Sequence, residues 1–193
     1  RLLIHGMVDR PVILTMDEIK RLPSVSRIRF IECSGNTQSE WRAPTLKTVQ
    51  GTHGLTSCSE WTGVPLSLLL REARVQKGAT WIIAEGADST GNERSIPMAK
   101  AMDDILVAYG QNGEALRPEN GYPLRLVVPG WEGNINVKWL RRIAVVDRPY
   151  MTRMESVDHA NLMPDGKARQ FMFVIDAKSV ITFPSGGQRL PGP

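Results

Sequence analysis

Cysteine is scarce in this sequence: Cys33 and Cys58 are the only two in 193 residues, and they form no CxxC pair and no CxxCH haem-attachment run. Histidine is scarcer than its usual roles require. His5, His53 and His159 stand alone, so neither paired zinc ligands nor a spaced cysteine–histidine dyad can be read from the chain. No apolar run approaches the roughly 20 residues that cross a bilayer, which argues against a membrane span. The first residues also lack the charged, apolar and small-residue order of a secretion signal. A chain that begins at Arg1 rather than methionine is read as cut at its start. No basic stripe is interleaved with aromatics, so nucleic acid is not the expected partner. Internal repeats and low-complexity tracts are absent as well.

What is present is an ordinary globular composition, with 41% hydrophobic and 23% charged residues, enough for one domain with a core of its own. Seventeen glycines and 13 prolines predict many turns, and a net charge of +4 mildly favours anionic ligands. Leu2 to Val8 and Pro11 to Thr15 read as neighbouring strands. Thr15 and Glu18 predict a capping box that opens a helix through Leu22, stopped by Pro23. Ser26 to Cys33 reads as a strand, Trp61 to Ala73 as a loop entering a leucine-faced helix with Pro65 near its first turn, and Thr80 to Glu85 as a buried strand. Ile105 to Tyr109 is expected to turn at Gln111 to Glu114 as a hairpin, with Leu124 to Val128 pairing further on. Phe171 to Ile175 and Val180 to Phe183 look strand-like. Short strands and helices without regular β-α-β alternation imply an α+β domain of mixed sheets.

The chemistry concentrates at Cys33, which ends a strand and precedes the turn Ser34-Gly35-Asn36. Its residue type alone leaves a core thiol, half a disulfide with Cys58, a nucleophile and a metal ligand all open. Gly35 and Asn36 are expected to supply positive φ and exposed N–H groups, so that a bulky ligand can approach the strand end. The tryptophans are expected mostly in the core, with Trp131, on a glycine-flanked loop, walling a pocket.

The run Ile31-Glu32-Cys33-Ser34-Gly35-Asn36 resembles the signature of the sulfite oxidase-type molybdopterin oxidoreductase family. The likeness continues through Trp61-Thr62-Gly63-Val64-Pro65-Leu66, Ser95-Ile96-Pro97, Gly121 to Gly130 and Asn136-Val137-Lys138-Trp139-Leu140. Thr52 to Trp61 and Asp176 to Thr182 are most similar to the sulfane dehydrogenase subunits and bacterial sulfite dehydrogenases within that family. The resemblance implies the family's molybdopterin-binding fold over residues 1–170 and, over 171–193, the start of a C-terminal immunoglobulin-like dimerisation domain. It implies a molybdenum–molybdopterin cofactor, with Cys33 as metal thiolate and catalytic centre. Arg125 and Lys138 would hold the pterin phosphate and ring, Asp88 and Ser89 would bind its donor edge, and Gly35, Asn36 and Asn120 would complete the cofactor seat.

The chain departs from the animal enzymes at Gln38, Asn92 and Asn120, which replace an arginine, a tyrosine and a histidine. Arg94 is then expected to restore the missing charge as a catalytic residue, and Gln38 suits a thio group on a carrier better than free sulfite. The implied activity is oxidation of sulfite or carrier-bound sulfane sulfur by oxygen-atom transfer in the periplasm. Electrons would pass to a c-type cytochrome subunit, this chain carrying no haem, in a homodimer or heterotetramer. A methionine-sulfoxide reductase of the same fold and a cofactor-free binding module are the alternatives.

Overall fold

A computed structural model describes residues 1–41, 48–89, 91–184 and 188–192; the Trp41 side chain lies outside what is described. Strands β1 (Leu2–Gly6) and β2 (Val12–Leu14) pair antiparallel and lead to helix α1 (Met16–Arg21). Thr15 caps α1 as expected, its hydroxyl accepting from the Glu18 amide while the Glu18 carboxylate accepts from the Thr15 amide at 2.7 Å. The chain continues through β3 (Val25–Glu32), α2 (Val49–Thr52), β4 (Thr56–Pro65) and α3 (Leu66–Ala73). After these come β5 (Trp81–Gly86), β6 (Glu93–Pro97), α4 (Met98–Ala101), β7 (Leu106–Gln111), β8 (Glu114–Ala115), β9 (Arg125–Val127) and β10 (Leu140–Val146). A two-stranded ribbon of β11 (Asn161–Leu162) and β12 (Ala168–Arg169) completes the strands described.

Two sheets share the core. One has the order β2-β1-β10-β5-β6, with β1 and β10 parallel and the other pairs antiparallel; the second runs β3-β4-β7-β8, with β9 also on β7. Between them lie Leu2, Ile4, Ile82, Ala84, Ile143 and Val145 from the first sheet against Val64, Val107, Leu124 and Leu126 from the second. The leucine face of α3, Leu66, Leu69 and Leu70, closes one side as its spacing predicts. This is the α+β arrangement expected from the sequence.

Two expectations change. Trp61 to Pro65 is not a loop but the second half of β4, hydrogen-bonded to β3 on one side and β7 on the other. Thr62, Gly63 and Pro65 look like loop residues in isolation; a bulge between Thr62 and Gly63 accommodates them within the sheet. The strand-like run Phe171 to Ile175 makes only one isolated bridge, Val174 to Trp131, and packs instead through its aromatics. Phe173 stacks on Trp131 at 4.3 Å and, with Phe171, covers Trp81 on the outer face of the first sheet. Val180 to Phe183 forms no strand either.

Gly63 marks the tightest contact between β4 and β7. A Cβ built there would lie 2.3 Å from the Val107 carbonyl oxygen and 2.6 Å from the Ala108 Cα, both backbone atoms that cannot swing away. Gly63→Ala is therefore expected to cost about 1–3 kcal/mol of stability through forced strand displacement, read as a lowered midpoint in urea at unchanged slope.

Candidate functional site

β3 delivers Cys33 to the site and two backbone bonds fix it there. The Cys33 amide donates to the Leu55 carbonyl at 2.9 Å, and the Asn36 amide donates to the Cys33 carbonyl at 3.0 Å, closing a turn. The thiol is exposed and unpaired, as is that of Cys58, which faces Phe30 across the β3–β4 register, so the two cysteines form no disulfide. The Gly35 amide lies 3.4 Å from Cys33 Sγ, a backbone N–H turned toward the sulfur. Positive φ in this turn falls on Thr37, at 73°, and not on Gly35 or Asn36. Asn36 is buried and acts as a clamp: its side-chain amide donates to Glu32 at 2.7 Å, and its carbonyl oxygen accepts from the Leu55 amide at 3.1 Å. Gly133 packs from the opposite wall, where a Cβ would lie 2.9 Å from the Glu32 carbonyl oxygen.

Beside this turn opens a cleft of about 690 Å³, whose walls include Cys33, Asp88, Asn92, Arg125, Asn134 and Lys138. Arg125, Lys138 and Asp88 thus meet Cys33 in one cavity, although 105 residues separate the first and last of them in sequence (138 minus 33). Arg125 is buried on β9 and donates to three carbonyls, of Asn120 at 2.9 Å, Asn136 at 3.3 Å and Leu126 at 3.3 Å. Its guanidinium lies over Trp61 at 4.8 Å. Among the described residues no carboxylate pairs with it, and burial pushes its pKa down to about 10. At neutral pH it is a buried cation directed at the cavity without a counter-charge, which is the electrostatic requirement for an anionic ligand. Lys138 donates to the Glu119 carbonyl at 3.0 Å and lies 4.4 Å over Trp139. Its stem fits against Gly121, whose φ of 104° and missing Cβ leave room that any side chain would fill.

The remaining expected residues divide. Asp88 lines the cleft and accepts from the Asn92 amide at 2.9 Å, which shapes the loop after β5. Ser89 is exposed on that loop and is not on the cleft wall. Asn120 takes part through its backbone, since its carbonyl holds Arg125 while its side chain donates to Gln111 at 2.9 Å. Gly35, Asn36 and Gln38 line a neighbouring hollow of about 410 Å³ with Glu132 and His159. Trp139, not Trp131, walls the cleft; Trp131 is turned away onto Phe173.

Arg94 does not reach the cleft wall. It is fully buried on β6, 3.3 Å from Glu155, itself fully buried. Burial lowers the Arg94 pKa and raises that of Glu155, so for both groups desolvation outweighs their mutual attraction.

Sequence reasoning missed Gly133, Asn134 and Asn136. Asn136 is buried, holds the Val128 amide at 2.7 Å and the Glu132 carbonyl at 3.1 Å, and offers its own carbonyl to Arg125. Asn134 donates to Glu132 at 2.9 Å and lies within 3.4 Å of Ser34 and 3.3 Å of His159. Burial, and next Arg94, hold the His159 pKa below the usual histidine range. The signal that would have found these residues is the pairing of Asn134 and Asn136 directly after Gly133, next to the motif that carries Lys138.

Two measurements follow from these buried charges. Arg94→Met leaves Glu155 buried without its cation and is expected to cost ~3–5 kcal/mol, with Arg94→Met/Glu155→Gln recovering much of the loss in chemical denaturation. Pyrophosphate is expected to raise the melting temperature of the protein, and Arg125→Met to abolish the rise. The sign of the pH dependence follows from the lowered pKa: above about pH 10 native Arg125 releases a proton that the unfolded chain still holds. The buried charge therefore opposes folding below pH 10, a bound anion relieves that cost, and pyrophosphate stabilisation fades once pH passes about 10.

The chain is similar to the sulfane dehydrogenase SoxCD of Paracoccus pantotrophus, with a TM-score of 0.92 and 49% identity over 96% of this chain and 48% of that one. It is 38% identical to mitochondrial sulfite oxidase of Drosophila melanogaster over 78% of this chain and 28% of the relative. Nitrate reductase 1 of Arabidopsis thaliana is 40% identical over 74% of this chain and 17% of that protein. The chain thus spans less than half the length of each of these. Residues 1–154 match the oxidoreductase molybdopterin binding domain, and the chain belongs to that family.

Proposed function

We propose that this chain is the cofactor-bearing part of a periplasmic molybdenum enzyme that oxidises sulfite or carrier-bound sulfane sulfur and passes the electrons to a c-type cytochrome. One observation carries the reading: Cys33, Asp88, Arg125 and Lys138 share a cleft whose buried guanidinium has no carboxylate partner among the described residues. The choice of sulfur over nitrate rests on the higher identity to sulfane dehydrogenase SoxCD and the greater share of this chain it covers.

The residues fit a molybdopterin. Arg125 and Lys138 supply the cationic side that a pterin phosphate needs. The side-chain oxygens of Asn92 and Asn134 are buried on the cleft wall with no hydrogen-bond partner among the described residues, and are acceptors suited to the N–H groups of a pterin edge. Cys33 offers an exposed soft sulfur of the kind molybdenum takes. When bound, the cofactor supplies two-electron redox chemistry in which water provides the oxygen added to a sulfur lone pair, with release of two protons and two electrons. The chain's own part is to hold the thiolate at the strand end, to neutralise the phosphate, and to keep the substrate side polar. His159 lies on that side with a lowered pKa and accepts at Nδ1 from Asn134, which makes it a neutral base facing the Ser34–Gln38 turn.

Turnover with cytochrome c as acceptor tests the reading. Protein produced with molybdopterin supply is expected to reduce cytochrome c with sulfite or a carrier persulfide and not to consume nitrate. Cys33→Ser should abolish both that turnover and the thiolate-to-molybdenum absorption band. Nitrate consumption, or a Cys33→Ser protein with the native band, would overturn it.

A further inference from the structure

The segment that follows the matched domain lies against both walls of the Cys33 site. Phe173 stacks on Trp131, the Phe173 carbonyl accepts from the Glu132 amide at 2.8 Å, and the Ile175 amide donates to the Gly130 carbonyl at 2.9 Å. These contacts fix the loop that leads directly into Gly133 and Asn134 on the cleft wall. Three residues later the same segment reaches the other wall, where the Lys178 ammonium pairs with the Glu32 carboxylate. Glu32 is the residue before Cys33, and the same carboxylate oxygen accepts from Asn36, the clamp of the Cys33 turn. Lys178 is thus connected to the thiolate turn in three steps: ammonium to Glu32, Glu32 to Asn36, and Asn36 to the Leu55 amide, with the Leu55 carbonyl in turn accepting from the Cys33 amide.

We infer that Lys178 is a positioning residue for the Cys33 thiolate, delivered by a strap formed by residues 171–178. The pair is half exposed, with the Lys178 side chain at 46%, so its contribution to global stability is small. Its effect is directional. Without the ammonium, the Glu32 carboxylate loses the partner that fixes its rotamer, and Asn36 loses a fixed acceptor. The turn that aims the sulfur then opens more often. Groups one step removed from a metal ligand act on it in this way, by orientation and charge. For the molybdenum band this inference rests on the proposed function; for the turn itself it does not.

The test compares Lys178→Met with Lys178→Arg in the full chain. In protein without cofactor, Lys178→Met is expected to speed hydrogen exchange at the Cys33, Asn36 and Leu55 amides by about tenfold relative to wild type, with the melting temperature little changed and Lys178→Arg restoring protection. In protein produced with molybdopterin supply, the same substitution should shift the thiolate-to-molybdenum absorption and hasten molybdenum loss on dialysis about tenfold, again restored by arginine. Unchanged exchange at those three amides in Lys178→Met overturns the inference whether or not metal is taken up. Altered exchange with no molybdenum in the wild type sustains the inference and counts against the proposed function instead.

Discussion

The site depends on one desolvated guanidinium. Arg125 is held by the carbonyls of Asn120, Leu126 and Asn136, so a single side chain ties together the turn before β9, β9 itself and the loop before β10. Those three pieces are the wall that faces Cys33. Burying a cation without a carboxylate is expensive, and it persists only where geometry over-determines it. Trp61 beneath the guanidinium and the carbonyl seats around it provide that geometry. An anion in the cleft would relieve the remaining cost, which would make ligand binding and fold stability two views of the same charge.

The second sheet brings Cys33 to face that wall. β3 ends at Glu32, β4 begins at Thr56, and the Leu55 carbonyl between them takes the Cys33 amide. Gly133 allows the opposite loop to approach within contact of the Glu32 carbonyl. The thiol therefore stands at the junction of an antiparallel strand pair and a loop that the strap of residues 171–178 secures from outside.

Much of this was legible in the sequence, and the reason is local physics. The Thr15–Glu18 capping box, the α3 leucine face and the Asn112–Gly113 hairpin each depend on residues a few positions apart. Arg125, Lys138 and Asp88 were reachable only through the family likeness, because nothing in their spacing announces a common cavity. The misses share the opposite cause. Trp61 to Pro65 reads as loop because its strand pairing comes from β3 and β7, far away in sequence. Arg94 reads as a free charge near the site because its partner, Glu155, lies 61 positions on (155 minus 94) and inside the core. Phe171 to Ile175 is an apolar, strand-like run, yet its aromatics find Trp81 and Trp131 before any sheet edge.

The carbonyl seats of Arg125 also bear on how such a domain can diversify. Backbone oxygens hold the cation, and a backbone oxygen is the same whatever side chain its residue carries. Drift at Asn120 or along the neighbouring hollow that includes Gln38, Glu132 and His159 can therefore change the side chains around the site while the Arg125 charge stays in place. A domain built this way can be inherited by proteins named for sulfite and for nitrate alike. Its evolvable surface is the side-chain layer, and its heritable part is the path of the main chain.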